Sequence, residues 1–370
     1  MNKKLFRVMV CCLFSIIMVL LPVLAGCTGE KSSSGTQTVT ATVTKTVTTT
    51  TAKSESNQTF IYRLATGSPE MKNPVTEEMK EWAANVAKAT NGRLKIEIYW
   101  GGTLGESKDA LNMLDSGIAD MVMEGYGYFS DTFPISEVIT LPYLVTSTVE
   151  CGTLMNGLLY DGLLPEYDRI KLLMFKPQDP IMLFVRDKKV TKIEDLKGLK
   201  IRTNTQGATK LVEKLGGVPV SVATPDLYTS LETGVIDGLV TSLGFFYPMK
   251  MYEVCKYAVV EPIAMSMTFI AMSWDAWNRL PADLQRILEE VTWDYYWTNI
   301  NHETDRYLNS YLKPVKDAGV ELIYLSDQER ARWEQATQSL IDEWITKMDG
   351  KGLAGSEAVR RARVLKEVLR

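Results

Sequence analysis

The stretch Lys197-Gly198-Leu199-Lys200-Ile201-Arg202-Thr203 is where this sequence comes closest to binding chemistry. Gly198 marks a tight turn, and Leu199 and Ile201 alternate as one buried face of a short strand. Arg202 then falls on the other face at the strand's carboxyl end, where open α/β sheets hold their ligands. A guanidinium placed there can grip a carboxylate through two parallel hydrogen bonds. The same spacing also suits a surface arginine or a structural ion pair, since most arginines are solvated.

Other chemistry is thin. The single histidine, His302, lies in a helical stretch among polar neighbours, whereas a Ser-His-Asp or Cys-His site needs a histidine beside a nucleophile. There is no GxSxG, no phosphate-loop GxxxxGK[ST] and no CxxC outside the amino-terminal segment. Gly125-Tyr126-Gly127 is too short for a dinucleotide fingerprint. Acidic pairs such as Glu289-Glu290 read as solvated helix faces. These absences argue against an enzyme, and no cofactor is implied.

The elements that must position Arg202 follow a regular grammar. Phe60–Ala65 reads as a strand, broken by Thr66-Gly67-Ser68-Pro69. Asn73 caps a helix with Pro74 at its first position, and Val75, Met79, Trp82 and Val86 share one face. Leu94–Tyr99 alternates as a half-buried strand. A turn at Gly101-Gly102 leads to a helix through Ala110, Leu111 and Leu114. Strand–helix–strand–helix–strand is the pattern of a parallel α/β sheet. Leu114-Asp115-Ser116-Gly117-Ile118-Ala119-Asp120 then matches Leu231-Glu232-Thr233-Gly234-Val235-Ile236-Asp237 position by position. Each is a helix end, a glycine suited to the left-handed cap, and the start of a strand. Two lobes on one plan would face each other across a cleft. An even step of four residues from each aspartate reaches Glu124 and Thr241, one from each lobe. From Pro281 a helical stretch runs to its first breaker, Pro314, roughly 50 Å if straight. That is too long for one lobe, so it is expected to run across both.

The amino terminus carries Lys3, Lys4 and Arg7, then an apolar run from Val8 to Leu24. The run is short for a membrane span and has the flanks of a signal peptide. Leu24-Ala25-Gly26-Cys27 resembles a bacterial lipobox, so residues 1–26 are expected to be cleaved and Cys27 lipidated, anchoring the protein to the membrane from outside the cytoplasm. Residues 27–59, dominated by Thr, Ser and Lys, cannot bury enough surface to fold and read as a tether. Removing the signal takes three positive charges from the formal −4 and leaves about −7. With no basic, aromatic-interleaved patch, nucleic acid is not an expected partner. Cys151 and Cys255 remain; a disulfide is permitted in this compartment but not indicated.

Five segments together resemble the solute-binding proteins of TRAP transporters, the DctP-like family. They are Gly102-Thr103-Leu104-Gly105, Leu141-Pro142-Tyr143, Asp195–Arg202, Leu227–Gly238 and Leu280–Gln285. The resemblance implies a two-lobed α/β, periplasmic-binding-protein-like fold with a hinge and a long helix spanning both lobes. It places lobe I at 60–180 and 268–307, and lobe II at 181–267 and 308–370. The protein would close on an organic acid and deliver it to the permease subunits of a TRAP transporter. By resemblance, Arg202 grips the carboxylate, and Glu124 and Glu106 fall at positions that face ligand. Where many relatives read Gln-Glu-Asn-Pro, this chain has Leu239-Val240-Thr241-Ser242, leaving Thr241 or Ser242 to replace the asparagine. Met182 stands where some relatives carry a second arginine, and Trp100 where a proline is common. Tyr126, Tyr128, Phe245, Phe246 and Tyr247 add rings near the expected cleft. Losing a cation and gaining rings favours a less polar monocarboxylate, with Phe245 and Met182 among its neighbours. A related receptor feeding a sensor kinase, or an extracellular enzyme, are the alternative readings.

Overall fold

The computed structural model describes residues 58–71, 74–203 and 205–369. The expected signal peptide, Cys27 lipidation, tether and Asn73 cap lie outside the described residues. In chain order the strands are β1 Phe60–Ala65, β2 Leu94–Tyr99, β3 Met121–Gly125, β4 Lys171–Pro177, β5 Ile181–Val185, β6 Lys200–Thr203, β7 Val218–Ser221, β8 Gly238–Ser242, β9 Tyr257–Ala264, β10 Met267–Met272 and β11 Glu321–Ile323. They form two sheets, ordered β2-β1-β3-β10-β4 and β11-β9-β5-β8-β6-β7. In the first, β1 runs parallel to β2 and β3, and β10 antiparallel to β3 and β4. In the second, β6 runs parallel to β7 and β8, and β5 antiparallel to β8 and β9.

Each sheet is covered on both faces, which explains why its central strands are apolar throughout rather than alternating with polar residues. In β10, Phe269 and Ala271 enter one core while Ile270 and Met272 enter the other. In β5, Leu183 and Val185 face one core while Met182 and Phe184 face the opposite one.

The repeat read from sequence is present down to its hydrogen bonds. Gly117 and Gly234 both take left-handed backbone, φ 69° and 75°, ending the helices Ala110–Asp115 and Leu227–Glu232. The Asp120 carboxylate accepts from the Arg63 amide at 3.0 Å, and the Asp237 carboxylate from the Lys200 amide at 2.8 Å. The side chains of Arg63 and Lys200 each donate to the carbonyl of their repeat's glycine, at 2.7 and 2.8 Å. Each aspartate therefore locks the incoming strand to its parallel neighbour. The register sets Leu64 opposite Met121 and Ile201 opposite Gly238, so Ala65 in the first lobe corresponds to Arg202 in the second.

Among the described residues four segments pass between the lobes. Two lie side by side: the Gln178 amide donates to the Ser266 carbonyl at 2.9 Å, and Ser266 Oγ bonds Gln178 Oε1 at 2.6 Å. The third is the long helix, Ala282–Asp305, which continues through a π-helical turn, Arg306–Leu312, into Lys313–Asp317. Leu284, Leu288, Tyr296 and Ile300 pack in the first lobe, and Tyr311, Leu312 and Val315 in the second. The wide turn sits just before Pro314, which has no amide proton to give to the preceding turn and whose ring crowds it.

The fourth crossing departs from the expected boundaries. The helix Asp327–Asp349 places Trp333 and Leu340 in the second lobe, but Ile341, Trp344 and Met348 in the first. Trp344 Nε1 donates to Glu137 at 3.0 Å. The last helix, Gly355–Val368, buries Ala358, Val359 and Ala362 in the same first-lobe core. The expectation that 308–370 belongs to lobe II therefore fails from about Ile341 onward. An apolar stripe says which face of a helix is buried, but not against which lobe. Cys151 and Cys255 are free thiols in the cores of different lobes.

Candidate functional site

Arg202 ends β6, and the next helix, Gln206–Lys214, begins a turn later with Thr205 as its cap. Thr203 is pinned beneath it by a 2.9 Å contact between its hydroxyl and that of Thr209. The arginine is 5% exposed. Its Nε donates to the Val222 carbonyl at 3.3 Å, which leaves the two terminal nitrogens for other partners. Neither makes a hydrogen bond or ion pair with another described residue. The other strongly buried cation among the described residues, Lys176, has Glu78 at 4.0 Å. Burial pushes the pKa of Arg202 down, and Tyr128 opposes that shift. A guanidinium remains charged under such pressure, so an anion arriving at its free edge would supply the missing countercharge. The amino end of the following helix adds a dipole of the right sign.

Across from Arg202 stands the first lobe's turn after β3, Tyr126–Phe129. A Cβ built on Gly127 would lie 3.7 Å from Thr205 Cγ2, and one on Gly207 would lie 3.8 Å from Thr140 Oγ1. The lobes thus touch along the segments that follow β3 and β6. Tyr126 and Phe129 are buried in the first-lobe core, while Tyr128 is 62% exposed and packs its ring over Gly125.

The remaining candidates divide. Thr241 and Ser242 end β8, adjacent to β6, are half-buried, and make no side-chain hydrogen bond to a described residue. Phe245 is half-buried in the turn after β8, packed against the second-lobe core. That turn is tied to the hinge because Asp179 accepts from the Gly244 amide at 2.9 Å. Met182 is wholly buried opposite Thr241 in the ladder, and its sulfur accepts from Tyr307 at 3.2 Å. It fills core space where a charged side chain could not sit without a partner.

Glu124 lies in the first lobe and Thr241 in the second, as the repeat requires. Glu124 is almost fully buried and accepts from the Gly67 amide at 2.7 Å. Burial raises its pKa, against hydrogen bonds from Gly67, Ser107 and Gly125. It braces the ends of β1 and β3 and does not pair with Arg202. Glu106 is exposed and paired with Lys108 at 2.8 Å; its neighbour Ser107 makes the contact to Glu124. Trp100 packs on the first-lobe core and lines a groove with Lys80, Ala84 and Ala87, all of the first lobe. The structure therefore does not bring Glu106 or Trp100 to Arg202. Tyr128 is one of the five rings that the sequence sets near the cleft, with nothing in its spacing to mark it out from the others; Asp179, one acidic residue in a loop, carries no sequence signal.

Residues 66–347 match the family described as "DctP: Bacterial extracellular solute-binding protein, family 7". The C4-dicarboxylate-binding periplasmic protein DctP of Rhodobacter capsulatus is 27% identical over 311 residues, 81% of this chain and 89% of its own length. A TRAP periplasmic solute-binding protein from Desulfovibrio salexigens superposes with a TM-score of 0.74 at 27% identity, covering 82% of this chain and 95% of that one. A marine metagenome TRAP solute-binding protein specific for aromatic acid ligands, crystallised with 3-hydroxybenzoate, gives 0.75 at 23% identity, covering 83% and 98%. The match spans most of the chain, and with the two-lobed fold it defines an extracytoplasmic receptor of the periplasmic-binding type. The chain belongs to the DctP family of TRAP solute-binding proteins.

Proposed function

We propose that this protein captures a monocarboxylate of apolar or aromatic character between its lobes and delivers it, chemically unchanged, to the membrane subunits of a TRAP-type permease. Lipidation at Cys27 would hold it on the outer side of the membrane, with residues 27–59 as tether. The observation that carries the reading is Arg202: a buried cation at a strand's carboxyl end, with two terminal nitrogens that bond to no described residue and no acidic partner among them. A single negative charge is favoured because the first-lobe equivalent of Arg202 is Ala65, and Met182 is sealed in the second-lobe core. Thr241 and Ser242 offer hydroxyls on the neighbouring strand, and Phe245 and Tyr128 offer rings. The aromatic-acid specificity of the metagenome relative is in keeping with this choice.

Titration calorimetry with benzoate, 3-hydroxybenzoate and succinate tests it. The aromatic monocarboxylates should bind at least ~10-fold more tightly than succinate, since a second carboxylate would be desolvated without a cation to meet it. Tighter binding of succinate, or release of an altered acid after incubation, would overturn the reading.

A further inference from the structure

Arg202 belongs to the second lobe, and a buried anion needs more than one wall. The turn Tyr126–Phe129 supplies the other. Tyr126 and Phe129 fix that turn in the first-lobe core, and Gly127 lets its backbone come up to Thr205. Tyr128 stands between Tyr126 and Phe129 at the lobe's surface with its ring against Gly125; it is 62% exposed, and its hydroxyl bonds to no described residue.

The repeat sharpens this. Counting from Asp120 and Asp237, Gly127 corresponds to Gly244, Tyr128 to Phe245, and Phe129 to Phe246. The second lobe has a phenylalanine at the position where the first has a tyrosine. The hydroxyl is thus present only on the lobe that faces Arg202, where a hydrogen-bond donor has an anion to meet. The electrostatic influence of Tyr128 on Arg202 agrees with their proximity.

We infer that Tyr128 completes the carboxylate site from the first lobe, its phenol donating to the anion that Arg202 holds and its ring covering it. This rests on the carboxylate reading given above. Two terminal nitrogens of Arg202 engage one edge of a carboxylate, leaving oxygen lone pairs on the other side for an O–H···O⁻ bond, one of the stronger kinds. Because Arg202 and Tyr128 come from different lobes, the ligand bridges them, and its differential affinity for the closed arrangement drives closure.

Benzoate titrations and small-angle scattering on the full chain test the inference with Tyr128→Phe, Tyr128→Ala and Arg202→Met. Tyr128→Phe should weaken benzoate about tenfold, and Tyr128→Ala more, with a smaller benzoate-induced decrease in radius of gyration. Arg202→Met should weaken benzoate roughly 10²-fold. If both Tyr128 variants bind and close as the wild type does while Arg202→Met does not, the inference is overturned and the carboxylate reading stands. If the wild type shows no saturable benzoate binding, the aromatic monocarboxylate reading itself fails.

Discussion

Replacing Arg202 by methionine keeps most of the side chain's length and apolar stem while removing the cation. The guanidinium makes one hydrogen bond to a described residue, a long one of 3.3 Å to Val222, and is 5% exposed. A charge so placed costs more in lost hydration than a single carbonyl returns. Arg202→Met should therefore stabilise the empty protein by ~1 kcal/mol, a rise of about 1–2 °C in Tm. With ligand the sign reverses. Removing one partner of a buried charge pair costs about 2–5 kcal/mol, so at ~3 kcal/mol the Kd for benzoate should rise roughly 10²-fold. Arg202→Lys should recover only part, because a point charge lacks the planar fork. Differential scanning calorimetry without ligand and titration calorimetry with benzoate read the two effects separately. A variant that unfolds several degrees lower than wild type when empty, yet binds benzoate as tightly, would refute the reasoning at both steps.

Three further outcomes follow from particular contacts. Glu124 has its pKa raised by burial in the folded state, so its contribution to stability is greatest below the unfolded carboxyl value and is lost as pH rises through the folded one. Glu124→Gln should therefore gain in Tm relative to wild type between pH 4 and 8; a difference that stays flat with pH would contradict this. The Tyr143 hydroxyl is buried with no hydrogen-bond partner among the described residues, so Tyr143→Phe should stabilise by ~1 kcal/mol in urea unfolding, and a loss of that size would mean that the hydroxyl is bonded. Gly127→Leu should hold the lobes apart at Thr205, which scattering would show as a reduced contraction with benzoate; full contraction would place the closing contact elsewhere.

What could be read from the sequence was mostly local. Gly117 and Gly234, each at the end of a helix and three residues before an aspartate, gave the repeat, because a left-handed cap and a strand-locking carboxylate each demand particular residue types. The strands Phe60–Ala65 and Leu94–Tyr99 were legible from alternation and bounding turns. Arg202 was legible as a candidate because the alternation of Leu199 and Ile201 set its face. The destination of the carboxyl-terminal helices was not legible. Trp344 and Ala358 lie on ordinary apolar stripes, and only the tertiary fold says that they cover the first lobe. Nor could spacing tell Glu106, which pairs with Lys108 in solvent, from its neighbour Ser107, which touches Glu124. The role argued for Tyr128 depends on Gly127 and Thr205 meeting across the lobes, a contact between residues 78 apart in the chain.

Native mass spectrometry of the protein as purified, with Arg202→Met purified alongside it, tests most directly whether Arg202 holds one small carboxylate between the lobes. The wild type should carry a single adduct, released on denaturation and identified by its mass as a monocarboxylic acid, and the variant should carry none. A dicarboxylic or uncharged adduct, or an adduct retained equally by Arg202→Met, would contradict it.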